Sequence, residues 1–579
     1  TSHSTLGNTS TPAPGSNNKR GGMETIRPGS YVTRPELGLS PRSIMRRLRK
    51  FVLAAAAAAC ICSSALAGRF ESFTDKFRTS PDQASVVGST FFGGTGTEWF
   101  SGGGFQPDGT VVAVGTCLGP TLDAPVKVTV IGPDGPAPAA LQPPPKDRKG
   151  KEQPFNWQHP NATGFIVRYS EDLKTIKSVS RLPWASGAIT SSAVDAQGNI
   201  YIAGPATPAL AKISADSREL PVQDNGSKNP ACSAVYLAKL EAGADRVTWV
   251  RIMRGPSACP TVSINGKGQI IFTGPDIRTF KPDGTVANTA LVPGGLEGNV
   301  AVNPIDGTYA RGGEHHWGTG REPWRCPTLN IFKPNGDLLY HLYDWGGPYV
   351  GMDNIRQVSD SAVRGVAYDE EGNLIIHAWS DGGNSVMTSH PNDVRRPHGA
   401  FERSLGLSNW GANVLSCAYI LKIETRNYKV INGTLWVAYV SNPDKPNSIW
   451  IDAMDSATDG SVCIAGRSAS GLIRTGNEIG GGPAAGPYVA VISKDMTSLR
   501  FSSNLGGCGK TRVNGNDPFA IARGTVKGKA KVMFLSGAIE SEESYGQQIK
   551  PPATPNAPQP KFGGGFTDAH LVILDLGGT

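Results

Sequence analysis

Short apolar runs, each broken by a Gly-containing turn, recur along this chain from about residue 85 to its end, with almost no long amphipathic stretch between them. The clearest copy covers residues 192–204. An apolar run leads into Asp195-Ala196-Gln197-Gly198-Asn199, and Ile200-Tyr201-Ile202-Ala203-Gly204 follows. The same succession appears at 105–115, turning at Asp108-Gly109, and at 262–274, turning at Asn265-Gly266-Lys267-Gly268. It returns at 301–313 (Asp306-Gly307), 366–379 (Asp369-Glu370-Glu371-Gly372), 454–466 (Asp459-Gly460) and 520–537 (Lys527-Gly528-Lys529). An Asp side chain accepts hydrogen bonds from amides two residues ahead, and Gly supplies positive φ without steric cost. Each copy therefore predicts a β-hairpin.

A second hairpin follows each of the first six. Phe165-Ile166-Val167-Arg168-Tyr169 precedes 176–182, and Val235-Tyr236-Leu237-Ala238-Lys239 precedes 247–253. The pairs 277–280 with 285–291, 329–332 with 338–343, 419–422 with 435–439, and 488–492 with 499–505 read the same way. Two hairpins make a four-stranded antiparallel unit, and seven units make a ring. The predicted fold is all-β, a seven-bladed β-propeller. The seventh unit stops after His570-Leu571-Val572-Ile573-Leu574, one strand short. Residues 86–94 resemble the fourth strand of unit six at 501–507, so the N-terminal strand is expected to close the ring. Closure leaves few open sheet edges. Apolar residues on both faces of the strands, such as Ile200 with Ile202 and Tyr201 with Ala203, fit sheets packed against neighbours on both sides.

The runs Ser89-Thr90-Phe91-Phe92-Gly93-Gly94 and Val194-Asp195-Ala196-Gln197-Gly198-Asn199-Ile200-Tyr201-Ile202-Ala203-Gly204 resemble the SBBP-type β-propeller repeat of bacterial exported and cell-surface proteins. The resemblance covers roughly 85–579 as a pattern and weakens in units three, four and seven. It implies a fold and a compartment. That family shares an architecture rather than a reaction, so it carries over no catalytic residue.

Composition sharpens this picture. With 72 Gly, 44 Pro and 18% charged residues in 579, the chain reads as turn-rich all-β. Its net charge of +8 is local: residues 1–67 hold nine Lys or Arg against Glu24 and Glu36, leaving 47 basic and 46 acidic residues elsewhere. No basic stripe for nucleic acid remains. The basic segment reads as a leader. Met45-Arg46-Arg47-Leu48-Arg49-Lys50 is a charged start, 51–62 is apolar, and Ser64-Ala65-Leu66-Ala67 is a small-residue cleavage pattern with Gly68 next. The apolar run is too short and too weak for a membrane span, so none is expected in the mature form. The expected organisation is a disordered or over-extended start at 1–44, a signal peptide at 45–67, a linker at 68–84 and the propeller at 85–579. Export to the periplasm, the cell surface or the medium follows. Seven cysteines remain after the leader, without metal-ligand spacing, and buried thiols with one or two bridges are expected.

Several short motifs read as loops. Gly507-Cys508-Gly509-Lys510-Thr511 lacks the first Gly of a phosphate loop, with Asn504 in its place. Gly466-Arg467-Ser468-Ala469-Ser470 lacks the last Gly of a nucleophile elbow. Asp455, Asp459 and Gly460 fit a hairpin turn better than a calcium loop, since Ala457 stands at a ligand position. No cofactor and no metal centre are predicted.

Long insertions carry the candidate chemistry. Residues 118–163, 205–232, 314–327, 380–416, 467–486 and 538–567 each follow the second strand of a unit, whereas unit three makes that connection with almost nothing. Equivalent positions in a repeat project to one side, so these insertions should form one working face. His315, His316, Trp317, Arg321 and Trp324 in one insertion, and Trp379, Asp381, His390, Arg396 and Trp410 at the next, form the expected ligand-binding set. Aromatic and basic groups together suit a carbohydrate or an anionic polymer, and the alternative is a small core pinning long loops. The leading expectation is a binding scaffold for carbohydrate or another envelope protein. A polysaccharide lyase or hydrolase would need carboxylates converging at the mouth, with Glu314, Asp360 and Asp381 as candidates by position. A structural envelope component is the third class.

Overall fold

The computed structural model describes residues 78–578 apart from 119–121, 133–161, 186, 223–231, 258–259, 291–298, 318–323, 345–359, 381–415, 440–445, 481–484, 510–518 and 545–546. Its strands form seven four-stranded, antiparallel blades in a ring, a seven-bladed β-propeller. Blade 1 runs Thr97–Phe105, Val111–Leu118, Ala162–Tyr169 and Ile176–Leu182, from the innermost strand outward. Blade 2 comprises Ser191–Val194, Ile200–Pro205, Cys232–Leu240 and Val247–Ser257, and blade 3 Thr261–Ile264, Ile270–Thr273, Ile277–Phe280 and Val286–Ala290. Blade 4 has Asn299–Val302, Tyr309–Trp317, Trp324–Phe332 and Leu338–Asp344. Blade 5 has Ser361–Tyr368, Leu374–Ser380, Cys417–Glu424 and Lys429–Trp436. Blade 6 is built from Ile449–Ser456, Val462–Ser468, Gly486–Ile492 and Ser498–Asn504.

Blade 7 takes Ala520–Val526, Lys529–Ala538 and Asp568–Gly578 from one end of the chain and Ser85–Phe92 from the other. The last two are antiparallel, with Phe92 opposite Ala569 and Ser85 opposite Asp575. Thr97–Phe105 of blade 1 packs against all three C-terminal strands of blade 7. Phe92 stacks on Phe100 and Phe165 at ring distances of 6.2 and 5.3 Å, inside a core that also holds Met533 and Leu571.

Tight turns hold the strands as their residue types require. Asp195 accepts the amides of Gln197 and Asn199 at 2.9 and 2.8 Å, and Gly198 takes φ +82°. Asp369 holds Glu371 and Asn373 in the same way, and its other oxygen meets Lys422 Nζ at 2.7 Å, both groups buried. One strand differs from expectation. The fourth strand of blade 5 is Lys429–Trp436 rather than the 435–439 run, because Tyr428 takes φ 56° and turns the chain early.

The second and third strands of each blade meet at one end, and the first and second at the other. Connections at the second-to-third end span 119–161, 206–231, 274–276, 318–323, 381–416, 469–485 and 539–567, whereas the opposite end carries short turns. Two insertions also leave that end. Val128–Val130 runs parallel to the outer strand of blade 1, and Ser217–Leu220 runs parallel to that of blade 2. Arg78–Thr79 does the same on blade 6. The expectation that every insertion stays on one face is corrected here: these stretches satisfy the unpaired amides and carbonyls of an outer strand.

Candidate functional site

Five of the ten candidate residues, Arg321, Asp381, His390, Arg396 and Trp410, lie outside the described residues. Four others sit on strands rather than in a loop, which corrects the reading of 314–327 as an insertion. His315, His316 and Trp317 end the second strand of blade 4 and pair with Cys326, Arg325 and Trp324 across it. The hairpin is lengthened, so only 318–323 separates the two strands. Trp379, the tenth, lies half-buried on the second strand of blade 5, opposite Ala362 and Ala418.

Around Trp379 the structure gathers a polar cluster where blades 4 and 5 meet. The register slips between Val363 and Gly365, leaving Arg364 as a β-bulge on the innermost strand. Such bulges re-aim a side chain. The Arg364 guanidinium lies 5.2 Å from the centre of the Trp379 ring and pairs with Glu314 at 2.9 Å. Arg325 stands 3.6 Å from both Glu314 and Asp360, and its backbone amide donates to Asp360 at 2.8 Å. Two of the three carboxylates considered for catalysis are thus bound into one ion-pair network, at the strand ends from which the long connections leave. His377, two residues before Trp379, is buried, and its Nε2 finds no partner. Burial, and then the charge of Arg364, push this imidazole down to about 3, so it is neutral at ordinary pH.

A second cluster was missed in the sequence. Glu98 opens the innermost strand of blade 1 and Asp568 the third strand of blade 7, both almost fully buried. Each ends a similar run: Gly93-Gly94-Thr95-Gly96-Thr97-Glu98 and Gly563-Gly564-Gly565-Phe566-Thr567-Asp568. Two glycines, a spacer, threonine and an acid, written twice, was the available signal. The runs lie side by side, with Thr97 bridged to Thr567 and the Glu98 amide donating to the Thr567 carbonyl at 2.8 Å. Burial first, then the neighbouring charge of Asp568, raises the Glu98 carboxyl to about 8, against a hydrogen bond from the Gly94 amide; Asp123 raises it further. Burial holds Asp568 up at about 7, against hydrogen bonds from Gly563 and Gln559.

The remaining candidate chemistry is quiet. Cys117, Cys417, Cys463 and Cys508 are buried thiols, and burial raises those of Cys117 and Cys463. Asp459 accepts the Ser461 amide at 2.9 Å and pairs with Arg500 at 2.5 Å, the hairpin-turn role expected. Among the described residues no three His, Cys, Asp or Glu side chains group to hold a metal, and no helix is long and apolar enough to cross a membrane.

No family model matches the chain, and no curated protein is similar to it. Among solved structures it is similar to a protein of unknown function from Dyadobacter fermentans, at 10% identity and a TM-score of 0.36, over 86% of this chain and 100% of that one. It is also similar to Sqt1 from Chaetomium thermophilum, at 8% identity and a TM-score of 0.34, over 85% and 98%.

Proposed function

We propose that the protein is an exported binding scaffold that takes its ligand on the end of the propeller carrying the long second-to-third-strand connections. The carrying observation is the difference between the two ends: short turns at one, connections of up to 43 residues (119–161) at the other. Loops longer than about 12–15 residues are uncommon unless functional or disordered. Half-buried Trp379 beside Arg364, Glu314, Arg325 and Asp360 adds an aromatic face rimmed by charge. That combination suits a sugar, whose apolar ring face stacks while its hydroxyls take hydrogen bonds. The SBBP-type resemblance and the leader-like succession from Met45 to Ala67, which lies outside the described residues, support the exported setting.

Calorimetric titration of the full chain with neutral and uronic-acid oligosaccharides tests the reading. Binding is expected, with Trp379→Ala weakening it at least tenfold and Trp379→Phe far less. Circular dichroism would show both variants folded. No binding across the series, or binding that Trp379→Ala leaves intact, rejects the carbohydrate reading.

A further inference from the structure

The meeting of blades 1 and 7 carries an inference independent of the ligand face. Glu98 Oε2 and Asp568 Oδ1 are both buried and lack any hydrogen-bond partner. They converge: the point where a Gly93 side chain would begin lies 2.7 Å from the first and 2.9 Å from the second. The other Asp568 oxygen is occupied by Gln559 Nε2 at 2.9 Å and the Gly563 amide at 2.6 Å, and the Glu98 carboxylate accepts from the Gly94 amide. Those bonds hold both carboxylates so that one oxygen of each faces the shared space.

Three glycines make that approach possible. Gly93 lies against both carboxylates, a Gly94 Cβ would fall 2.5 Å from Asp123 Oδ2, and Gly96 lies against Glu98. Asp123 in turn accepts the Thr95 amide and hydroxyl at 3.4 Å. The facing run packs closely on this one, since a Cβ at Gly563 or Gly565 would meet the carbonyls of Gly93, Thr95 and Gly96. Among the described residues no ion pair joins a Lys or Arg to Glu98, Asp568 or Asp123. Buried charges are paired or coordinate metals.

We propose that Glu98 and Asp568 bind a hard divalent cation of the calcium type, which bridges the first and last blades. The converging donors are carboxylate oxygens, and neither His nor Cys takes part. Such a set suits calcium over softer metals, with water completing the shell. The two acid-ending runs come from opposite ends of the chain, so a shared ion would tie the C-terminal strand of blade 7 to the innermost strand of blade 1.

The test is calcium titration of the full chain after chelation, by calorimetry and thermal unfolding in parallel. Calcium should bind in the micromolar to millimolar range and raise the melting temperature. Magnesium should do so far less, since it demands tighter octahedral geometry. Glu98→Gln should weaken calcium at least tenfold, and Glu98→Gln with Asp568→Asn should abolish the response. Asp172→Asn, in an exposed turn, should leave it unchanged. A crossover supplies the second readout. In chelator the double variant should melt no lower than wild type, because Gln and Asn replace two buried carboxyls that face each other without a cation, whereas in calcium wild type should melt higher. Absence of calcium binding to folded wild type overturns the proposal, and so does a calcium response that survives the double substitution. Neither result depends on whether a sugar binds near Trp379.

Discussion

Blades 1 and 3 follow the same four-strand plan and differ in what lies on their outer strands. Val128–Val130 pairs with the outer strand of blade 1, and blades 2 and 6 gain Ser217–Leu220 and Arg78–Thr79 in the same parallel manner. Blade 7 is covered by an irregular stretch: the Thr554 amide donates to Ser89 at 2.9 Å and the Phe91 amide to Gln559 at 3.0 Å. On blades 3, 4 and 5 no such strand occurs among the described residues. There the outer strands expose Val286, Leu338, Leu339 and Ile431. The cores follow the same division. Nineteen buried apolar residues join blades 7 and 1, against five described ones between blades 3 and 4. The repeat supplies the blade, and the segments between repeats decide how firmly each blade is held.

Phe92 and Phe332 give the sharpest way to break that comparison. Both stack on aromatic neighbours, Phe92 within the larger core and Phe332 on Tyr309 at 5.0 Å within the smaller. Phe92→Ala should cost about 4 kcal/mol, near the middle of the range for buried Phe. Phe332→Ala should cost about half as much, since fewer close-packed neighbours surround the cavity. Denaturant unfolding of the two variants decides, and an equal or larger loss for Phe332→Ala would remove the asymmetry.

Two buried histidines carry the next effect. His570 lies in the covered half, its Nε2 2.7 Å from the Pro552 carbonyl, 3.1 Å from Ser89 Oγ, and its Nδ1 3.3 Å from Cys508 Sγ. His377 lies in the open half with no partner at Nε2. Burial pushes His570 down to about 4, against the Pro552 hydrogen bond, and His377 to about 3. Both are neutral when folded and charged when unfolded below about pH 6.5, so the unfolded chain binds more protons there. Stability is therefore complete above pH 6.5 and falls as the pH drops towards the folded values, by about 3 kcal/mol per histidine at pH 4. His377→Phe should flatten that acid limb at little cost at pH 7, because it strands no partner. His570→Phe should flatten it too, but should destabilise at pH 7 by removing the ring's contacts with the Pro552 carbonyl, Ser89 Oγ and Cys508 Sγ. Equal behaviour of the two variants at pH 7 would contradict the difference in their surroundings.

The blades were legible because their turns obey local chemistry: Asp195 and Gly198 state a hairpin whatever lies around them. Pairing across the ends was legible for a related reason, as a strand missing at 570–574 and an unused one at 86–94 account for each other. The lengthened hairpin of blade 4 was not. His315, His316 and Trp317 show no alternation of polar and apolar residues, and their strand exists because Trp324–Phe332 runs beside it. Glu98 and Asp568 escaped notice because their closeness depends on 469 intervening residues returning to the start. Each alone is one acid after a glycine run, and the pair exists only in the closed sheet.

The smallest expected effect concerns the exposed edges themselves. A strand with unpaired backbone groups and apolar side chains can template pairing with another chain, and charge on the edge opposes this. Leu338 and Val286 are 47% and 38% exposed, so replacing them with Lys removes little packing. Leu338→Lys and Val286→Lys should each change unfolding free energy by no more than about 0.5 kcal/mol. Their effect should appear in light scattering of concentrated protein, as slower self-association with the monomer unchanged. Val130→Lys is the control: its side chain is 49% exposed, but it sits on a fifth strand already paired with the blade. A decrease in self-association for all three would assign the effect to added charge. A decrease for Leu338→Lys and Val286→Lys alone would place the association on the open half of the ring.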